Sequence, residues 1–239
     1  MQKSPTYFAL LEACALDGCP VCRLSYNSVN SYLESFFTES VNDVEMRTRL
    51  RESLGYCREH VRFMLEARTG DPLSFSIIYQ DILGNVLKGL PQGGASGLGD
   101  RLAFSVRRTA GGQTRQAAET EALLTPSAPC PVCEEQASSE KVILGTLVKS
   151  VVDTPMQQAL VESHGLCLPH LNDALQAAAG QETFVTLVRL ARQNLEGLNA
   201  ELAEFIRKSD YRFAAEAVGQ EGDAWKRALA LASGNFVDK

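Results

Sequence analysis

The chain has 239 residues, enough for one or two domains, and its 45% hydrophobic and 22% charged composition is that of a globular protein rather than a disordered or fibrous one. A formal net charge of −6 argues against general nucleic-acid binding. No apolar run approaches the roughly 20 residues needed to span a bilayer, so no membrane span is expected.

In chain order, the N-terminal Met-Gln-Lys-Ser-Pro leads into a short amphipathic helix at about 5–16, without the apolar core and cleavage site of a secretory signal. Helices at about 20–38, 43–54, 58–68 and 72–89 follow. Tyr26, Val29, Tyr32, Leu33 and Phe36 recur at three- and four-residue steps, the spacing of one apolar helix face. Asp71-Pro72 is an N-cap followed by proline at the first helical position. Residues 90–116 read as a linker containing Gly93-Gly94-Ala95-Ser96-Gly97 and Ala110-Gly111-Gly112, with the arginines Arg101, Arg107, Arg108 and Arg115. Further helices are predicted at about 131–149, 154–164, 168–178 and 181–208, where Val188, Leu195, Leu198, Leu202 and Ile206 mark an apolar face. A tail from 209 carries a last helix around Trp225–Ala232, with the single Trp expected to anchor it against the body. Period-two strand patterns are missing, so the fold class is all-α.

A four-residue set occurs twice. Cys19, Cys22, Cys57 and His60 form Cys-Pro-Val-Cys…Cys-Arg-Glu-His; Cys130, Cys133, Cys167 and His170 form Cys-Pro-Val-Cys…Cys-Leu-Pro-His. The first pairs are offset by 111 residues and the second pairs by 110. Aligned at 110, Val41–Cys57 and Val151–Cys167 share eight of seventeen residues. Such self-similarity indicates two tandem copies of one helical unit, spanning 1–89 and 117–208. A loop between Cys22 and Val41 is expected to absorb the one-residue change of offset.

Three thiolates and one imidazole complete a tetrahedral shell for zinc. Pro20 and Pro131 favour first helical turns, and Gly55 and Gly165 break the preceding helices two residues before Cys57 and Cys167. Ligands at i and i+3 share a face of that turn. Each half is therefore expected to join two helix N-termini around its own ion, and to depend on it for folding. The other readings are a Cys₃His iron–sulfur cluster and a Cys-Pro-x-Cys redox dithiol, the latter disfavoured because no βαβ pattern surrounds either pair. Seven cysteines, an odd number, argue against a disulfide framework. Cys14 aligns with Thr125 and reads as a core thiol; His164 aligns with Leu54 and reads as a helix-end residue. Met46 and Met156 are core candidates, and Asp43 and Asp153 are N-caps. Glu52 and Glu162 are surface or capping residues in one reading and orient a ligand imidazole in the other.

With these motifs, and with Asp210-Tyr211-Arg212-Phe213 and Glu221-Gly222-Asp223-Ala224-Trp225 near its end, the chain resembles an uncharacterised bacterial family catalogued as a domain of unknown function. The resemblance implies a helical, metal-binding protein and carries no activity with it. The residues favour a cytoplasmic, non-enzymatic protein with two zinc ions per chain and an unidentified protein or small-molecule partner. A redox protein is the alternative, and a nucleic-acid regulator acting through 101–115 is a third reading.

Overall fold

The computed structural model describes residues 3–91, 115–213 and 215–234. Among them are eleven α-helices and no strand. They are α1 (Pro5–Cys14), α2 (Pro20–Ser35), α3 (Val44–Glu52), α4 (Arg58–Ala67), α5 (Pro72–Gly89), α6 (Arg115–Leu124), α7 (Pro131–Ser150), α8 (Thr154–Glu162), α9 (Leu168–Ala177), α10 (Gln181–Lys208) and α11 (Ala224–Ser233). Most expected boundaries hold to within a residue or two, and α5 and α10 match outright. Helix α6 falls partly in the expected linker. Its Arg-Gln-Ala-Ala-Glu-Thr-Glu-Ala-Leu-Leu is rich in strong helix formers, and it starts 110 residues after α1. The glycine-rich stretch and Arg101, Arg107 and Arg108 lie outside the described residues, as does the side chain of Arg115.

Helix starts are set by caps. Ser4 accepts from the Tyr7 amide ahead of Pro5, and Asp71 accepts from the Leu73 and Ser74 amides ahead of Pro72. Asp43 caps α3 through the Met46 amide at 2.9 Å. Asp153 does not cap α8 in the same manner, because its carboxylate is drawn into an ion pair with Lys3. Gly180 is the N-cap residue of α10. Gly70 has φ +89° and follows Arg68, itself the left-handed end of α4. A side chain at Gly70 would press on the rings of Phe37 and Phe75.

The one-residue difference between the halves sits in no loop. Phe36–Ser40 continues α2 as a π-helical turn, whereas α7 runs as α-helix to Ser150. Bonding from i to i+5 instead of i+4 houses one more residue per turn, which absorbs the extra position between Cys22 and Val41.

Two compact units emerge: residues 1–28 with 136–239, and residues 29–135. These are not the units expected from the repeat, 1–89 and 117–208. Each draws on both halves of the sequence, because α2 and α7 each divide between the units. The first unit buries Leu10, Leu147, Val151, Met156 and Leu190, with α1 packed on α8 and α10 on α8, α9 and α11. The second buries Leu33, Phe36, Leu50, Met64, Ile78 and Ile82, with α5 packed on α3 and α6. Each fully buried aliphatic side chain contributes about 1.5–3 kcal/mol. Trp225 is 46% exposed and is not the anchor of the tail; Ala224 beside it is the buried residue.

Candidate metal centres

Every one of the eight motif residues sits in a first helical turn. Cys57 and Cys167 are the N-cap residues of α4 and α9, with extended backbone (ψ 164° and 158°) and no capping hydrogen bond from the thiol. His60 and His170 follow at the third helical position. Cys19 and Cys130 immediately precede Pro20 and Pro131, and Cys22 and Cys133 occupy the same third position of α2 and α7. The carbonyls of all four leading cysteines accept the first helical hydrogen bonds. Gly55 (φ +94°) and Gly165 (φ +73°) turn the chain out of α3 and α8 in the left-handed region, which is open to glycine without strain.

The eight residues gather into two sets of four, but crosswise. Cys19 and Cys22 meet Cys167 and His170; Cys57 and His60 meet Cys130 and Cys133. The expectation that each half encloses its own ion is therefore corrected: each set takes its Cys-x-x-Cys from one half and its Cys-x-x-His from the other. Element lengths give the reason. Helix α2 with its π turn covers about 30 Å at 1.5 Å per residue, and α3 covers about 14 Å, roughly half the way back. Each set lies within one compact unit.

In the first set, Cys22 Sγ lies 3.7 Å from Cys167 Sγ, and His170 Nδ1 lies 3.1, 3.3 and 3.6 Å from Cys167, Cys22 and Cys19. In the second, Cys57 Sγ lies 3.6 Å from Cys133 Sγ, and His60 Nδ1 lies 3.2, 3.4 and 3.8 Å from Cys57, Cys133 and Cys130. The sulfurs are free and well beyond the roughly 2.05 Å of a disulfide. Within each set all donor atoms lie within 4.8 Å of one another, so each can hold a metal ion. All four residues of the first set are buried, whereas Cys57 and Cys133 of the second are half-buried.

In the first set the thiols shift in opposite directions: contacts with Cys167 and Cys19, together with burial, push Cys22 well above the usual thiol range. Contacts with Cys167 and Cys22 hold Cys19 well below the usual thiol range. Burial opposes a charged imidazole, yet Cys167, Cys19 and Glu140 push His170 up to about 12. Four helix N-termini, with unpaired amides and partial positive charge, stabilise thiolates at both sets.

Glu140 of α7 is the site residue that the sequence reading missed. Its Oε1 stands 3.9 Å from His170 Nε2 and accepts from Ser25 Oγ at 2.7 Å and Gln136 Nε2 at 2.8 Å. Burial alone would raise its pKa; the nearby His170 imidazole and the hydrogen bonds from Gln136 and Ser25 bring it down to about 2. The repeat gave no signal for it, because position 29, 111 residues earlier, is valine. The candidates for this role from the sequence are placed otherwise. Glu162 accepts from Gln158, and the Glu52 carbonyl accepts from the Ser127 and Ala128 amides. His164 joins neither set; its Nδ1 accepts from the Gly18 amide at 3.0 Å. Cys14 is a buried core thiol pushed by burial up to about 12. Met156 is fully buried, and Met46 packs on the second core.

Beside the first set lies a cavity of about 280 Å³ whose walls include Cys19, Cys22 and Cys167 together with Asn194, Glu201 and Arg227. The end of α11 also reaches the set, since the Gly234 carbonyl lies 2.8 Å from Cys22 Sγ.

No helix among the described residues is long and apolar enough to cross a membrane. The chain is 25% identical over 232 residues to an uncharacterized 23.9 kDa protein in the xynA 3'region of Caldicellulosiruptor sp. (strain Rt8B.4), covering 94% of this chain and 99% of that protein. No solved structure matches the chain. Residues 7–239 match the model of a family of unknown function (DUF6062), and the chain belongs to that family.

Proposed function

We propose that this is a zinc protein, with Cys19, Cys22, Cys167 and His170 ligating one structural ion and Cys57, His60, Cys130 and Cys133 ligating a second. One observation carries the reading. A tetrahedral ion with Zn–S near 2.3 Å and Zn–N near 2.0–2.1 Å needs S···S edges of about 3.8 Å and S···N edges of about 3.5 Å. The sulfurs stand 3.6–3.7 Å apart in the pairs that touch, and sulfur–nitrogen separations run from 3.1 to 3.8 Å. An iron–sulfur cluster puts its ligands on different irons and needs them farther apart, which disfavours that alternative. Four protein donors close the shell and leave no place for a reactive water. The reading is thus a non-enzymatic, cytoplasmic protein built from two copies of one helical unit. Its zinc ions shape a surface for a protein or small-molecule partner.

Elemental analysis of protein purified without added metal, combined with an absorption spectrum, tests this. Two zinc atoms per chain and a colourless solution are the expected result. Broad visible absorption with iron would replace zinc with a cluster.

The half-buried Cys57 and Cys133 favour one second reading, a zinc–thiolate redox switch, since accessible thiolates are the ones oxidised. Reversible zinc release by peroxide is its signature.

A further inference from the structure

A shell closed by four protein donors leaves no room for chemistry at the metal, yet its ligands stay available where they border on open space. The first set does so, because Cys19, Cys22 and Cys167 form part of the wall of the 280 Å³ cavity. That cavity lies wholly within the unit of residues 1–28 and 136–239. Gln193 and Gly197, exposed on α10, also line it, so it communicates with solvent. Val161, Leu198 and Leu231 give it an apolar side. Its carboxylate and its guanidinium, Glu201 and Arg227, pair with each other. The volume falls just under the roughly 300–1,000 Å³ of drug-sized sites and suits a small molecule.

A thiol bound to a metal ion is deprotonated outright, and the thiolate is the nucleophilic form of cysteine. Metal coordination is one of the ways in which a side chain is activated for attack. A zinc ion with three thiolates and a neutral imidazole carries about one net negative charge, and Glu140 adds another beside His170. An anion entering the cavity is therefore repelled, whereas an uncharged molecule is not. The end of α11 covers two of the three sulfurs. The Gly234 carbonyl lies 2.8 Å from Cys22 Sγ, and a Cβ at Gly234 would stand 3.3 Å from Cys167 Sγ. Cys19 is the third.

Resting on the reading of the first set as a metal centre, we propose that the cavity admits small, uncharged carbon electrophiles to Cys19, which takes up their alkyl group. A lone pair on Cys19 Sγ forms the S–C bond while the bond from that carbon to its leaving group breaks. The leaving group departs as an anion with the bonding pair, and the thiolate becomes a neutral thioether. The protein is then a stoichiometric acceptor of alkyl groups, spent by each reaction.

The test uses the full-length, zinc-loaded chain. Metal content is measured first; an ion count below two would defeat the metal reading, separately from the reactivity. Iodoacetamide is then added, with iodide as the leaving group, and initial labelling of each cysteine is followed by peptide mass. The half-buried Cys57 and Cys133 of the other set serve as the internal reference. An added Cβ at Gly197 meets no atom within 4 Å, so Gly197→Leu narrows the cavity from α10 without a clash at its Cβ, and Ala230→Leu narrows it from α11. Either variant should slow labelling of Cys19 about tenfold or more and leave the reference cysteines and the metal content unchanged. Iodoacetate, an anion of nearly the same size, should label Cys19 about tenfold or more slowly than iodoacetamide once both are normalised to their rates with free N-acetylcysteine. Labelling of Cys19 that is indifferent to both narrowed variants, or labelling confined to Cys57 and Cys133, would overturn the proposal. So would a free-thiol ratio between the two reagents at Cys19. Cys22 or Cys167 labelled ahead of Cys19 would overturn the choice of nucleophile. Should one narrowed variant lose its zinc, the other decides; should both, the iodoacetate comparison on the unaltered chain does.

Discussion

Cys22 and Cys167 are separated by 145 residues of sequence and by 3.7 Å between their sulfurs. The partner of Cys57 is likewise Cys133, at 3.6 Å. Which cysteines share an ion is thus a question that mutants can answer by counting metal. Cys22→Ser combined with Cys167→Ser should leave one ion per chain, because both changes strike one centre. Cys22→Ser combined with Cys57→Ser should leave none. Pairing within halves would give the opposite counts, measured by elemental analysis of purified protein.

Stripping both ions should unfold most of the helix. Structural zinc contributes an apparent ~10–16 kcal/mol, against a typical domain stability of ~5–15 kcal/mol. Circular dichroism during titration with a strong chelator should show loss of helical signal that zinc restores. A chain that stayed fully helical without metal would speak against ions that shape the fold.

Gly165 offers a test confined to one centre. Its φ of +73° strains any other residue, and an added Cβ would collide with the Asn194 side chain, which donates to the Leu160 carbonyl at 3.0 Å. Gly165→Ala should cost about 1–3 kcal/mol and weaken metal retention at Cys167 and His170, while the centre at Cys57 and His60 keeps its ion. Thermal denaturation and metal content read the two effects.

In the first core, Leu147 is fully buried. Leu147→Ala should destabilise the chain by about 2–5 kcal/mol through lost burial and the cavity left behind. Denaturant titration measures this, and an effect under about 1 kcal/mol, well short of the usual cost of such a truncation, would mean that α7 packs differently.

A pH dependence is expected at the start of α11. The Gly219 amide and Lys208 hold Glu221 down to about 2, against an ordinary value of 4.5, with Lys208 Nζ at 2.7 Å. A depressed carboxylate stabilises the fold fully above its unfolded pKa. That contribution fades as pH falls from about 4.5 toward 2. Because Trp225 lies four residues on, its fluorescence reports the change, and Glu221→Gln should flatten the difference in that window. Equal profiles for the two proteins would dismiss the contact.

The sequence disclosed the helices well, since apolar periodicity, the Asp71-Pro72 cap and the left-handed Gly55 and Gly165 are local signals acting within a few residues. It likewise disclosed which eight side chains belong to the two sets. It could not disclose how the sets assemble. The spacing Cys-x-x-Cys reports that two thiols share a helical turn, and is silent on which turn faces it across the core. Glu140 escaped for a related reason: the repeat comparison highlights what the halves share, and Glu140 against Val29 is where they differ. Asp153 shows competition of another kind, a capping residue claimed by Lys3 from 150 positions away.

The crosswise arrangement changes what the covalent chain has to do. If ions sit where the donors converge, each is a rivet driven through both halves of the sequence, which are then joined through metal as well as through backbone. Losing either ion would then undo a tie between distant stretches of chain that no peptide bond replaces.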